Sequence, residues 1–283
     1  MSYLTLDPKE TPIPQLYAYL QGAIAPRPIA FASTIGKNGI VNLSPFSFFN
    51  LFSTKPPILI FSPSRRVRDN TVKNTLENAL EVPEVVINIV NYNMVEQASL
   101  ASCEYPKGVN EFVKAGLTEL KSTKVRPPRV AESPASFECK VNQVISLGDE
   151  GGAGNLIVCE ILLAHFKEDI LDASQNIDPQ KLDAVARMGG DFYCRAHGEN
   201  IFIVPKPNTK LGIGFDQLPE KIRNSKILSG NDLARLANVE KIPNAENLAI
   251  GNTSNEESLH LLAKKLLTEG KVEEAWRTLL QNS

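Results

Sequence analysis

Between residues 28 and 90 the apolar positions fall in short blocks separated by turn residues, a spacing that suits strands better than long helices. Strands are predicted over residues 28–35, about 40–49, 57–62 and 84–90, with a short helix ahead of them over 12–21. The run "DNTVKNTLENAL" (69–80) interrupts the series. Its Val72, Leu76 and Leu80 recur at helical spacing, with Asp69, Asn70 or Thr71 available as the cap. Short helices are expected over 93–101 and 109–116, followed by a proline-rich connector, "KVRPPRVAESP". The clearest alternation comes next. In "SFECKVNQVISL", Phe137, Cys139, Val141, Ile145 and Leu147 share one phase and Gln143 is the exception, which predicts a long half-buried strand. "GDEGGAGN" (148–155) is its hairpin loop, and the more apolar "LIVCEILLAHF" returns as a strand expected to be covered on both faces. A helix over 178–187 and a last strand in "ENIFIVP" complete the series.

After about residue 205 the strand signals stop. "NEESLHLLAKKLLTEGKVEEAWRTLLQ" is amphipathic, with Leu259, Leu262, Ala263 and Leu266 assigned to one face, and "EG" breaks it into a helical hairpin. The pattern predicts two parts: a mainly β domain over 1–204 with peripheral helices, and a helical C-terminal extension over 205–283. Many short strands with few long helices favour a small closed or split β-barrel over a doubly wound sheet. No GxGxxG follows a strand and no GxxxxGK[ST] occurs, so the common dinucleotide and P-loop signatures are missing.

Composition narrows the function classes. A net charge of −2, from 30 basic and 32 acidic residues, gives no basic surface for nucleic acid. No apolar run approaches the roughly 20 residues of a membrane span, and "MSYLTLDPKETPIPQ" lacks the basic and apolar regions of a secretory signal. A cytoplasmic protein is expected. Its four cysteines (Cys103, Cys139, Cys159 and Cys194) form no CxxC pair and read as free thiols, Cys139 and Cys159 buried on strands. His165, His197 and His260 are too dispersed to suggest a metal site.

Candidate chemistry concentrates in two places. "NLSPFSFFN" places Asn42, Ser44, Ser47 and Asn50 among Phe46, Phe48 and Phe49, directly after Ser33 and Thr34 at the end of the first strand. Pro45 takes the backbone off a regular ladder and leaves neighbouring amides free to point elsewhere. The second cluster, "SPSRRVRDNT" (62–71), sets Ser62, three arginines and Thr71 just before a predicted helix, where an N-terminus and its cations can receive a phosphate. Together they describe a site for a flat, polar-edged, phosphorylated ligand, and flavin mononucleotide (FMN) fits that description. Taken alone, the first cluster also reads as a turn-rich strand pair with buried aromatics, and the second as a capped helix with a solvated basic loop.

The blocks "APRPIAFASTIGKNGIVNLSPFSFFN", "PPILIFSPSRRVRDNTVKNTLEN", "YPKGVNEFVKAGLT", "RPPRVAESPASFECKV" and "LDAVARMGGDFYCR" resemble, in order and over residues 24 to about 195, the flavin reductase-like, FMN-binding split-barrel family. The resemblance implies a split barrel, a homodimer, and FMN held without covalent attachment near the subunit interface. It assigns Ser33, Thr34, Asn42, Ser44, Pro45, Phe46 and Ser47 to the flavin ring, and Ser62, Arg68 and Thr71 to the ribityl and phosphate. Arg27, in the "PRP" block, falls to the site or to its framework, and Tyr193, in "GGDFY", to the neighbourhood of the ring. Many relatives carry Lys-Asp-Thr where this chain has Arg68-Asp69-Asn70-Thr71, and the extra Asn70 leaves the register of Asp69 and Thr71 open. The implied activity is NADH- or NADPH-dependent flavin reduction, with electrons passed to a diffusible flavin, a metal complex or a partner protein. The competing readings are an FMN-binding electron carrier or sensor without a nicotinamide site and, from a neighbouring split-barrel group, a pyridoxal-phosphate oxidase. No protein side chain is expected to act as catalytic acid or base, because the flavin carries the chemistry.

Overall fold

The computed structural model describes residues 1–207, 210–243 and 255–282. It divides into two compact units, Met1–Phe202 and Ile203–Ser283. In the first, α1 (Ile13–Ala23) precedes β1 (Ala30–Ile35), β2 (Val41–Phe46), β3 (Phe49–Thr54) and β4 (Pro57–Phe61). There follow α2 (Asn74–Glu81), β5 (Glu84–Ile89), α3 (Val95–Leu100), α4 (Glu111–Ala115) and the short β6 (Glu119–Leu120) and β7 (Arg129–Val130). The long β8 (Ala135–Ser146) and β9 (Asn155–Phe166), α5 (Pro179–Leu182), β10 (Val185–Arg187) and β11 (Tyr193–Arg195) complete it.

Seven strands form one antiparallel sheet in the order β2-β1-β5-β8-β9-β4-β3. β2 and β3 stand at opposite edges, yet only Ser47 and Phe48 join them in the chain. The sheet must therefore curl until its edges meet at that corner, which makes a barrel split along the β2/β3 seam. Alternation along β1 fills both sides. Ala30 and Ala32 face the interior with Phe46, Phe61, Ile87, Cys139 and Cys159, and their small size leaves room for the Phe46 and Phe61 rings, whose centroids lie 5.3 Å apart. Phe31 packs outward under Met94, Ala98 and Phe112 of the α3–α4 layer. Burial pushes the Cys159 thiol up to about 12 and raises that of Cys139, so both are inert core residues.

Several sequence expectations change. The 69–80 helix begins only at Asn74, with Lys73 at the N-cap and no side chain capping it. Asp69 instead accepts from the N–H and hydroxyl of Thr71, at 3.0 and 2.6 Å, inside a closed loop. The β8 phase is not continuous: a bulge between Val141 and Gln143 lets Val144 pack against the core and leaves Ile145 and Leu147 exposed. β9 is covered on one face within this chain, since Leu162 and Phe166 are exposed. The 178–187 helix stops at Leu182, where Asp183 turns left-handed, and the chain enters β10. "ENIFIVP" forms no strand; a 3₁₀ turn (Gly198–Asn200) precedes residues without regular structure.

The second unit holds α6 (Glu220–Arg223), α7 (Gly230–Ala237), α8 (Glu256–Thr268) and α9 (Val272–Leu279) around its own core. Trp276 lies at its centre, fully buried, and donates its indole N–H to the Leu236 carbonyl at 3.0 Å. Leu259, Ala263 and Leu267 make the buried stripe of α8 and Leu266 packs against the same core, whereas Leu262, assigned to that face, is exposed.

Candidate functional site

The site is built on a framework that Arg27 organises. Its guanidinium, buried behind the cleft, donates to the carbonyls of Gln21 (2.6 Å), Ile24 and Met188 (2.8 Å). Its backbone exchanges 2.9 Å hydrogen bonds with Arg187. One side chain thus ties the C-terminal end of α1 to the β10–β11 hairpin, and the desolvation this requires lowers its pKa. Gly189 permits the close approach, because a Cβ there would stand 2.9 Å from Gly22 Cα.

Between this framework and α3 opens a cleft of about 330 Å³, at the lower end of the roughly 300–1,000 Å³ typical of ligand pockets. Ile29, Pro45, Val95 and Ala98 give it apolar walls; Ser47, Ser99, Ser102, Arg187, Asp191 and Tyr193 give it polar groups. Arg187 lies over the Tyr193 ring at 4.6 Å. Ser102 also lines a small adjoining recess of about 20 Å³ with Ser44, Asn42, Arg66, Lys73, Thr75, Glu104 and Glu111, which lies past Pro45 at the start of α2. At this end gather the Arg66 and Lys73 cations and the uncapped first turn of α2. Burial, with Arg66 and Arg68 nearby, depresses the Lys73 pKa. Glu111 accepts the Leu43 N–H on the open edge of β2 at 2.9 Å, and its burial raises its pKa. On the other side a 200 Å³ hollow shares Val95, Ser99 and Tyr193 with the cleft, and there Arg195, paired with Asp183 at 2.7 Å, stacks on Tyr92 at 3.8 Å.

The structure brings Asn42, Ser44, Pro45, Ser47 and Tyr193 to this groove. It puts others elsewhere. Ser33 and Thr34 are fully buried in β1; Thr34 accepts from Asn78 at 3.1 Å and the Ser33 hydroxyl has no partner. Asn42 donates to Thr75 at 2.9 Å, so two amide–hydroxyl pairs fasten α2 over β1 and β2. Phe46 belongs to the barrel core, Phe49 packs against that core, and Phe48 is exposed, edge-on to Tyr17 at 6.4 Å. None of the three lines the cleft, whose apolar walls come from Pro45, Val95 and Ile29 instead. Ser62 packs beside Gly154, whose added Cβ would lie 2.7 Å from its hydroxyl. Arg68 points outward, 67% exposed, and Thr71 is exposed with its hydroxyl held by Asp69 and Arg66.

The reason lies in Asn70. It adopts a left-handed conformation (φ 56°), its side chain accepts from Arg65 at 2.6 Å, and it donates to the Asp149 carbonyl at 2.9 Å. The extra residue is absorbed as a turn, and Arg66 takes the inward position while Arg68 does not. Sequence reasoning passed over Lys73, Thr75, Ser99 and Ser102. The available signals were a lysine at the helix start and a serine pair at i,i+3 around the end of a short helix.

A barrel with such a groove at its corner defines a class of small-ligand-binding protein. The profile of the flavin reductase like domain matches residues 23–179, more than half of the chain, and the chain belongs to that family. An uncharacterized protein of Aquifex aeolicus is 41% identical over 191 residues, 68% of this chain and 95% of that one. Among solved structures, nitrilotriacetate monooxygenase component B from Bacillus cereus is 28% identical with a TM-score of 0.67, covering 72% of this chain and 100% of its own. The 2-nitrobenzoate 2-nitroreductase of Pseudomonas fluorescens is 25% identical with a TM-score of 0.62, covering 71% and 96%. The family is one of flavin-handling oxidoreductase folds. Among the described residues no helix is long and apolar enough to cross a membrane, and no group of three or more His, Cys, Asp or Glu could hold a metal.

Proposed function

We propose that the protein binds FMN non-covalently in this groove and uses NADH or NADPH to reduce it, passing electrons to a diffusible flavin, a metal complex or a partner protein. One observation carries the reading: a cleft lined by Pro45, Ser47 and Tyr193 that shares Ser102 with a small recess holding Arg66, Lys73 and the uncapped turn of α2. This donor set suits a phosphorylated, flat heterocycle. Arg66, Lys73 and the α2 amides would hold the phosphate, Ser44 and Ser102 the polar chain, and Pro45, Val95 and Tyr193 the ring. When bound, FMN supplies the hydride and electron chemistry. The protein's part is to orient the ring, to present hydroxyl and amide donors to its polar edge, and to restrict water. Arg27 acts behind the site, by fixing the hairpin that carries Arg187 and Tyr193.

In this reading residues 1–204 form the flavin-binding domain and 205–283 an extension with a core of its own. The assembly is a homodimer. Leu51 and Phe52 on the edge strand β3, and Leu162 and Phe166 on β9, are exposed and suit a second copy of the chain. The compartment is the cytoplasm, where the four free cysteines stay reduced.

The test is an anaerobic titration of FMN-loaded protein, with its mass taken by light scattering. NADH or NADPH is expected to bleach the flavin absorbance in a particle of twice the chain mass. Bleaching by dithionite but by neither nicotinamide would leave an electron carrier and defeat the reductase assignment. A protein that binds no FMN would defeat both.

A further inference from the structure

Glu104 stands where an anion belongs. It lies on the segment after α3, across the recess from the 62–73 loop, and reaches over to two of that loop's three arginines. Its Oε1 is 3.1 Å from Arg66 Nε and its Oε2 is 2.5 Å from Arg68 Nη2. The rest of the loop is already committed. Arg66 Nη1 donates to the Thr71 hydroxyl and the Val72 carbonyl, both at 2.8 Å, and Asp69 holds Thr71. Lys73, half-buried beside them, makes no ion pair among the described residues, though the Glu104 carboxylate acts on its charge.

We infer that Glu104 sets how tightly the groove holds a phosphate, by occupying in the free protein part of the place that phosphate takes. This rests on the FMN reading above. Three cations (Arg66, Arg68 and Lys73) face three carboxylates (Asp69, Glu104 and Glu111, the last also on the recess wall), so this end carries little net charge, whereas a phosphate monoester brings close to two negative ones. With Glu104 in place, the phosphate must displace the carboxylate from Arg66 or share the arginine with it. Either way binding is weaker and release faster than the cations alone would give. Glu104 therefore discriminates against the phosphate and not the ring. It makes FMN an exchanging ligand and not a trapped prosthetic group.

The test compares wild type with Glu104→Gln, which keeps the size of the side chain and one acceptor oxygen and removes its charge and its second acceptor. Flavin fluorescence quenching gives the affinity of each protein for FMN and for riboflavin, and stopped-flow displacement gives the release rate. The variant is expected to bind FMN roughly fivefold to tenfold tighter, mainly through slower release, with riboflavin unchanged within about twofold. Wild-type protein that binds FMN, with a variant that binds it equally or more weakly, overturns the inference. So does a parallel change for both flavins, which would mark Glu104 as a brace of the loop. Failure of both proteins to bind FMN overturns the functional reading and this inference with it.

Discussion

Lys73→Ala and Arg66→Ala are each expected to weaken FMN binding about tenfold to a hundredfold and to leave riboflavin nearly unchanged. Each removes a cation from the end of the groove assigned to the phosphate, and a charge-assisted hydrogen bond there is worth roughly 1.5–3 kcal/mol. Lys73 is the cleaner case, since it makes no ion pair among the described residues, while Arg66 pairs with Glu104 and also braces Thr71 and Val72. Arg68→Ala is expected to cost far less, because that side chain is 67% exposed and turned toward Asp69 and Glu104. Parallel fluorescence titrations with both flavins decide the matter. Equal losses for FMN and riboflavin, or an Arg68 effect as large as that of Lys73, would remove these residues from the phosphate site.

The second large effect concerns the helical unit. Leu236→Ala is expected to destabilise it by about 2–5 kcal/mol, the usual cost of such a cavity in a packed core, since Leu236 is fully buried in the cluster around Trp276. Trp276 is the chain's one tryptophan, and its indole N–H bonds to the backbone carbonyl of residue 236, which the substitution keeps. Its fluorescence therefore reports this unit alone. In a urea titration the tryptophan transition is expected to move to lower denaturant, while flavin release from the barrel stays in place. A parallel shift of both transitions would mean that the two units unfold as one.

Much of the barrel was legible because strand spacing and turn residues are local signals. β1, β4 and β5 fall within two residues of their expected ends. What failed was set by contacts between distant residues. The phase of β8 breaks at a bulge defined by its pairing with β9, so Ile145 faces outward despite its place in the alternation. The apolar character of β9 predicts burial on both faces, but one face is only partly covered along its first half and exposed from Leu162 on. Asp69 and Thr71 have the chemistry of helix caps, yet they bond to each other because Arg65, Arg66 and Asn70 close the preceding loop on itself.

The site was legible in kind and less so in detail. Hydroxyls and amides in "NLSPFS" do reach the groove at Asn42, Ser44 and Ser47. Which of three neighbouring arginines turns inward depends on the left-handed Asn70, and composition carries no trace of that choice. The phenylalanines looked like walls for a ring because they sit in the same segment. Alternation sends Phe46 into the barrel, and Phe48, at the β2/β3 corner, away from the cleft. Arg187 and Tyr193 join the site from well over a hundred residues away, through a hairpin anchored by Arg27.

The central claim is that one groove holds FMN with its phosphate at the start of α2. The most direct measurement is a crystal structure of the protein grown with FMN. The account predicts the phosphate within hydrogen-bonding distance of Arg66, Lys73 and the first turn of α2, and the ring against Pro45, Ser47 and Tyr193. A phosphate bound at Ser62 or on the outer side of Arg68, or a ring seated away from the Pro45–Ser47 segment, would contradict it.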